Sequence, residues 1–300
     1  MKVVVTGARG YLGSALVAAL GASGCDVIAT DRDDGDSADP AHVRRLFESP
    51  VDRVFHLAGI VSGAAETDWD LGRRVNLDAS LLLLDRCRAQ ARRGGPIVRV
   101  IHASSIAVFG TPLPARIDDD TEPRPTLSYG TTKRIVELLL ADLARRGEVD
   151  GRALRLSGVV VRPPLANGAL SAFNSDVIRE PLAGRAYVCP VGPDATIWVA
   201  SKRTTIANLL RFADIDGAAL GVQRAVTAPA LAVSIGEIVA ALGRVDSAAP
   251  ARVRFAPDPR IEAQFGRWPR DASFARAESL GLVHDGSIEA IIRDHASARP

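Results

Sequence analysis

Cysteine, lysine and methionine are all scarce in this chain, and the first two shortages are informative. Three Cys (Cys25, Cys87, Cys189) in 300 residues lie far apart, are odd in number and form no CxxC pair. That pattern argues against a disulfide-stapled secreted fold and a Cys-rich zinc site, and it points to a cytoplasmic setting. The five His lack HExxH spacing, so no metal is expected. His56 and His102 fall in apolar strand-like runs and read as hydrogen-bonded core imidazoles. Neither sign of charge dominates: 37 Lys+Arg face 35 Asp+Glu, a formal +2. This balance argues against a nucleic-acid or polybasic membrane partner, whose binding would come from phosphate neutralisation. No apolar run approaches the roughly 18–20 residues of a membrane span. Nor is a signal peptide expected, because the chain enters an apolar strand at Lys2.

What is present is an ordinary globular composition, 47% hydrophobic and 24% charged. Strand patterns at 2–6, 26–30, 53–57, 97–102 and 152–156 alternate with helical patterns at 11–20, 41–47, 71–92 and 131–145. Buried β-branched strands alternating with helices predict an α/β fold, a Rossmann-type doubly wound parallel sheet, with ligands at the strand carboxyl ends. From Val161 onward, prolines and short segments interrupt the alternation. Residues 1–160 therefore read as a dinucleotide-binding domain. Residues 161–300 read as a smaller α/β substrate lobe laid on the carboxyl edge of the sheet.

Three features carry chemistry. TGARGYLG at 6–13 follows the first strand and opens the first helix. Gly7, Gly10 and Gly13 let backbone approach a pyrophosphate resting on the helix N–H groups, with Arg9, Tyr11 and Leu12 in the same turn. Asp31 ends the second strand, 18 residues after Gly13, where a carboxylate accepts ribose hydroxyls and repels a 2′-phosphate. NAD is the expected cofactor. NADP is second choice, because Arg9 and Arg32 are cations that a 2′-phosphate could engage. Tyr129 and Lys133 stand four residues apart on one face of a helix, where the ammonium favours phenolate and makes an acid/base of the tyrosine. With three Tyr and three Lys in the chain, such a pair rarely arises by chance. Ser104 and Ser105 end the preceding strand and offer a carbonyl-binding hydroxyl.

These motifs, together with FHLAG at 55–59, RVN at 74–76 and SSIAVFG at 104–110, resemble the extended short-chain dehydrogenase/reductase (NAD-dependent epimerase/dehydratase) family across residues 1–160. The resemblance implies that Ser105 binds the reacting oxygen, Tyr129 exchanges its proton and Lys133 also holds the nicotinamide ribose. It further implies Asp31 on the adenosine ribose, Leu57, Ala58 and Gly59 along the cofactor, and Asn76 on the long helix near the active site. It also implies a homodimer built on two helices per subunit. The helices at 71–92 and 131–145 carry leucines round more than one face, which agrees with that expectation.

A closer resemblance, carried by the segments 56–78, 104–114, 150–163 and 178–184, is to the D-erythronate dehydrogenase branch of the family. It implies oxidation of a secondary hydroxyl of a small sugar acid to the ketone, or the reverse reduction. Arg162 and Asn167 are candidate anchors for the substrate carboxylate, and Ser62 is a further polar candidate. This chain departs from the branch at Leu165, Gly168, Thr196 and Ile197, where the branch carries basic residues. Two alternatives use the same sequence features: a nucleoside-diphosphate-sugar epimerase with tightly bound NAD, and a non-catalytic dinucleotide-sensing protein.

Overall fold

Strand β1 (Lys2–Thr6) contains three consecutive valines that are wholly buried, so both of its faces must be covered. The computed structural model describes residues 1–164 and 170–297 and shows what covers them. The chain continues through α1 (Gly13–Ala22), β2 (Asp26–Thr30), α2 (Pro40–Arg45), β3 (Arg53–His56), α3 (Ser62–Thr67), α4 (Trp69–Arg73) and α5 (Ala79–Arg92). Then follow β4 (Arg99–Ser105), α6 (Ser128–Arg145), β5 (Asp150–Leu156) and, much later, β6 (Ala225–Thr227). The six strands pair in parallel in the order β6-β5-β4-β3-β1-β2. This is the doubly wound parallel sheet that the alternation predicts. The strand order reverses at β1 and β3, and ligands of such sheets bind at that crevice.

The chain divides into two units. The first comprises Met1–Gly110, Pro123–Leu156 and Ile206–Thr227; the second comprises Thr111–Glu122, Ser157–Thr205 and Ala228–Pro300. Within the first, Val4, Val54, Val100 and Ala153 pack with Leu83, Leu84 and Cys87 of α5 and Val136, Leu140 and Leu143 of α6. That apolar layer fixes α5 and α6 to one face of the sheet. The segment Ile206–Thr227 belongs here because β6 adds the sixth strand, with Ala225 in register with Ala153. The second unit is built on a three-stranded sheet of Gly158–Val160, Thr196–Ser201 and Leu231–Ser234. Its core holds Phe173, Val177, Ile178, Ile197, Val199, Ile235 and Ile238.

One predicted element is broken. The helical stretch at 71–92 forms as α4, a π turn (Arg74–Asp78) and then α5. The wider turn brings Asn76 inward, where it is 1% exposed.

Candidate active site

The glycine turn is shaped by backbone crowding. Gly7 has φ +68°, and a Cβ there would lie 2.8 Å from the Ala58 nitrogen. A Cβ on Gly13 would meet the Gly7 oxygen at 2.0 Å. These two positions therefore let β1, the start of α1 and the loop after β3 converge at the sheet's carboxyl edge. Gly10 N–H donates to the Gly7 carbonyl at 3.1 Å, closing the turn. At the start of α1 the Ser14 N–H is taken by the Gly10 carbonyl at 3.0 Å, no side chain caps the helix, and its first turn carries no acidic side chain. An anion is favoured at such a helix start. Tyr11 and Leu12 lie in the same turn, immediately before α1.

Asp31 follows β2, one strand over from the glycines. Its Oδ2 accepts from the Arg9 N–H and its Oδ1 from the Arg32 N–H, both at 2.8 Å. A carboxylate has about four acceptor sites, so capacity for two ribose hydroxyls remains. The Arg9 guanidinium turns to Asp34, with two hydrogen bonds of 2.7 Å.

Asn76 donates to the Ile60 carbonyl at 3.1 Å and accepts from the Ile60 N–H at 2.9 Å. Its amide thus holds the loop containing Leu57, Ala58 and Gly59. At Gly59 a Cβ would sit 3.0 Å from Asn76 Oδ1 and 3.6 Å from Lys133 Nζ, which places the loop beside the lysine.

Tyr129 and Lys133 occupy the first two turns of α6. Lys133 is buried, its Nζ donates to the Ala103 carbonyl of β4 at 2.8 Å, and it lies 5.6 Å from the Tyr129 ring centre. Burial pulls the ammonium down to about 8, against an opposing pull from the Glu137 carboxylate. Between them, Gly130 allows α6 to touch the loop after β4, since a Cβ there would strike the Ala107 oxygen at 2.2 Å. Ser105, the last residue of β4, leads into that loop: it caps the short helix Ile106–Val108 by accepting from the Ala107 N–H at 3.1 Å. One close approach thus brings the Tyr129 turn against the Ser105 turn. The neighbouring Ser104 faces away and donates to Glu137 at 2.6 Å.

Residues 3–195 match the NAD dependent epimerase/dehydratase family. The chain belongs to that family. It is 41% identical to the D-erythronate dehydrogenase of Cupriavidus necator, over 98% of this chain and 97% of that one. Identity to the D-erythronate dehydrogenase of Haemophilus influenzae is 33%, over 98% of each. Among solved structures it is similar to the nucleoside-diphosphate-sugar epimerase from Agrobacterium tumefaciens. The two are 35% identical, with a TM-score of 0.91, covering 100% of this chain and 94% of that one. The cofactor class of this epimerase/dehydratase chain is a nicotinamide dinucleotide. The Gly7 and Gly13 close approaches, the start of α1 and the Asp31 carboxylate fit such a group.

Two residues beneath the family's Tyr–Lys pair escape a motif search. Glu137 is 2% exposed, and it takes Arg155 in two hydrogen bonds of 2.9 Å and Arg134 in one of 3.1 Å. The spacing Tyr129–Lys133–Glu137, two steps of four, was the signal available for the first; nothing marked Arg155. His56 is a bonded core imidazole as expected, with Thr6 at 2.7 Å and Ser80 at 2.8 Å, and burial lowers it to about 3. His102 corrects the expectation. Neither ring nitrogen has a hydrogen-bond partner among the described residues, and the ring lies 5.4 Å from that of His56. Complete burial, aided by the Lys133 charge, holds it neutral.

The substrate candidates fall in different units. Ser62 opens α3 in the first unit. Arg162, in the second, donates from Nε to the Val159 carbonyl at 2.9 Å and lines a cavity of about 250 Å³ with Asn174, Ser175 and Asp176. Asn167, Leu165 and Gly168 lie outside the described residues. Ile197 is a core residue, and Thr196 spends its hydroxyl on the Trp268 carbonyl. No helix among the described residues is long and apolar enough to cross a membrane.

Proposed function

We propose that this chain is an NAD-dependent dehydrogenase that oxidises the C2 hydroxyl of a small, D-erythronate-like sugar acid to the ketone, or runs the reverse reduction. The observation that carries the reading is the buried Lys133 beside Tyr129 on α6, packed against the Ser105 turn. The near-full-length identity to two D-erythronate dehydrogenases supports the substrate class.

When bound, the nicotinamide supplies the hydride acceptor. Gly7, Gly10, Tyr11, Leu12, Gly13 and the Arg9 backbone would line the pyrophosphate, Asp31 the adenosine ribose, and the loop of Leu57, Ala58 and Gly59, braced by Asn76, the remaining length. Tyr129 as phenolate takes the proton of the substrate hydroxyl. The Ser105 hydroxyl donates to the same oxygen. Lys133 stabilises the phenolate, and a desolvated ammonium does so more strongly than a hydrated one. The Asp31 carboxylate favours NAD over NADP. Arg162 and Ser62, each within its own unit, are the candidates for substrate contact.

A homodimer is also proposed. Leu138 is 53% and Leu81 37% exposed, on α6 and α5, and Trp69 of α4 is exposed as well. An apolar helix face left open in this way suits an isologous interface.

A second reading, a nucleoside-diphosphate-sugar epimerase that retains its NAD, is favoured by the likeness to the Agrobacterium structure. The test is net NADH formation across aldonates, uronates and simple secondary alcohols, with NAD and NADP run in parallel. Sugar-acid-dependent NADH supports the dehydrogenase. Tightly retained cofactor, no net NADH and turnover of a nucleotide sugar support the epimerase.

A further inference from the structure

Two cations flank the Asp31 carboxylate, and the structure treats them differently. Arg32 is 92% exposed and meets Asp33 only at 3.7 Å. Arg9 is gripped: both of its terminal nitrogens donate to Asp34, at 2.7 Å each. The same Asp34 carboxylate also accepts the Asp31 N–H at 2.9 Å, while the Asp34 N–H returns to the Asp31 carbonyl at 2.9 Å. Asp34 therefore ties the Arg9 side chain to the very turn that presents Asp31, whose Oδ2 in turn holds the Arg9 backbone.

We propose that Asp34 is a specificity-determining residue for the dinucleotide: by occupying the Arg9 guanidinium, it withholds the cation that a 2′-phosphate beside Asp31 would need. The inference rests on the dinucleotide reading of the Asp31 site given above. Its physical basis is the match of one planar fork to one acceptor pair. A guanidinium bound two-pronged to a carboxylate has its best donors committed, and a phosphate must displace that carboxylate to reach them. Displacement also places the phosphate among Asp31, Asp33 and Asp34, the three carboxylates whose charges act on Arg9. The charges act on each other as this requires: Asp34 raises the Arg9 guanidinium above its ordinary value, and Arg9 lowers the Asp34 carboxyl. Arg9 is 55% exposed, so once released it has room to swing toward a ligand.

The experiment is calorimetric titration of the full chain with NAD and with NADP, for the unaltered protein, Asp34→Ala, Asp34→Asn and the double variant Arg9→Ala/Asp34→Ala. Asp34→Asn keeps an acceptor for the Asp31 N–H and so guards against loss of the turn. The ratio of NADP to NAD affinity should rise about tenfold in both Asp34 single variants, the size of one new charge-assisted hydrogen bond from Arg9 to the 2′-phosphate. The double variant should lose that rise. An unchanged ratio with NAD binding retained overturns the role of Asp34 and leaves the dinucleotide reading standing. A rise that persists without Arg9 also overturns it, since relief of repulsion alone would then suffice. If the unaltered chain binds neither cofactor, the dinucleotide reading falls, and this inference with it.

Discussion

The Lys133 ammonium lies 5.6 Å from the centre of the Tyr129 ring, one helical turn further along α6, and is anchored on the Ala103 carbonyl of β4. A charge in that position is costly to the fold, and the cost has a pH signature. Below about pH 8 the folded and unfolded chains both carry the proton, so the desolvation penalty stands in full. Between about 8 and the ordinary lysine value of 10.5, the folded chain has released a proton that the unfolded chain keeps. Stability therefore rises with pH across that interval. The unaltered protein should gain about 3 kcal/mol relative to Lys133→Met there. Urea unfolding of both proteins at several pH values checks it; parallel curves would mean that Lys133 is not held charged in a desolvated site.

Ser104 and Ser105 are adjacent in sequence and opposite in role. Ser105→Ala should lower kcat by about 10²–10³-fold, as expected for the loss of a donor to the reacting oxygen, and should cost about 1 kcal/mol of stability through the lost cap on Ala107. Ser104→Ala removes a donor from buried Glu137 and should cost about 1–3 kcal/mol of stability while sparing turnover. Steady-state kinetics and thermal melts on both variants decide the assignment. The reverse pattern would make Ser104 the catalytic hydroxyl.

The helix face behind the proposed dimer was only half legible. The leucines of 71–92 and 131–145 run round more than one side, but the sequence does not say which side the sheet takes. In the structure Leu82 and Leu139 pack against the core, whereas Leu81 and Leu138 point outward. Leu138→Asp is accordingly the sharper probe. In an isologous interface it places an unpaired carboxylate on each side of the axis and should yield a folded monomer. Light scattering with circular dichroism reads this, and a monomer of the unaltered chain would remove the dimer.

Strands, helices and the glycine turn were readable because each rests on local rules: a period of two or of 3.6, and backbone crowding that only glycine relieves at Gly7 and Gly13. Tyr129 and Lys133 were readable because four residues make one helical turn. What was not readable depends on long-range pairing. β6 is three residues long and exists because β5 offers it an edge. Arg155 reaches Glu137 only after β5 has taken its place behind α6. Asp34 looks like one acid in a solvated run until the turn at Asp31 folds it onto Arg9.

The most direct test of the account is NADH formation from a 2-hydroxy sugar acid such as D-erythronate by the unaltered protein and by Tyr129→Phe, with NAD binding measured on both. The phenylalanine keeps the ring and removes the proton acceptor. Turnover should fall by about 10²–10⁴-fold while NAD affinity stays within a few-fold. Near-normal turnover in Tyr129→Phe would contradict the proposed chemistry, whatever the substrate.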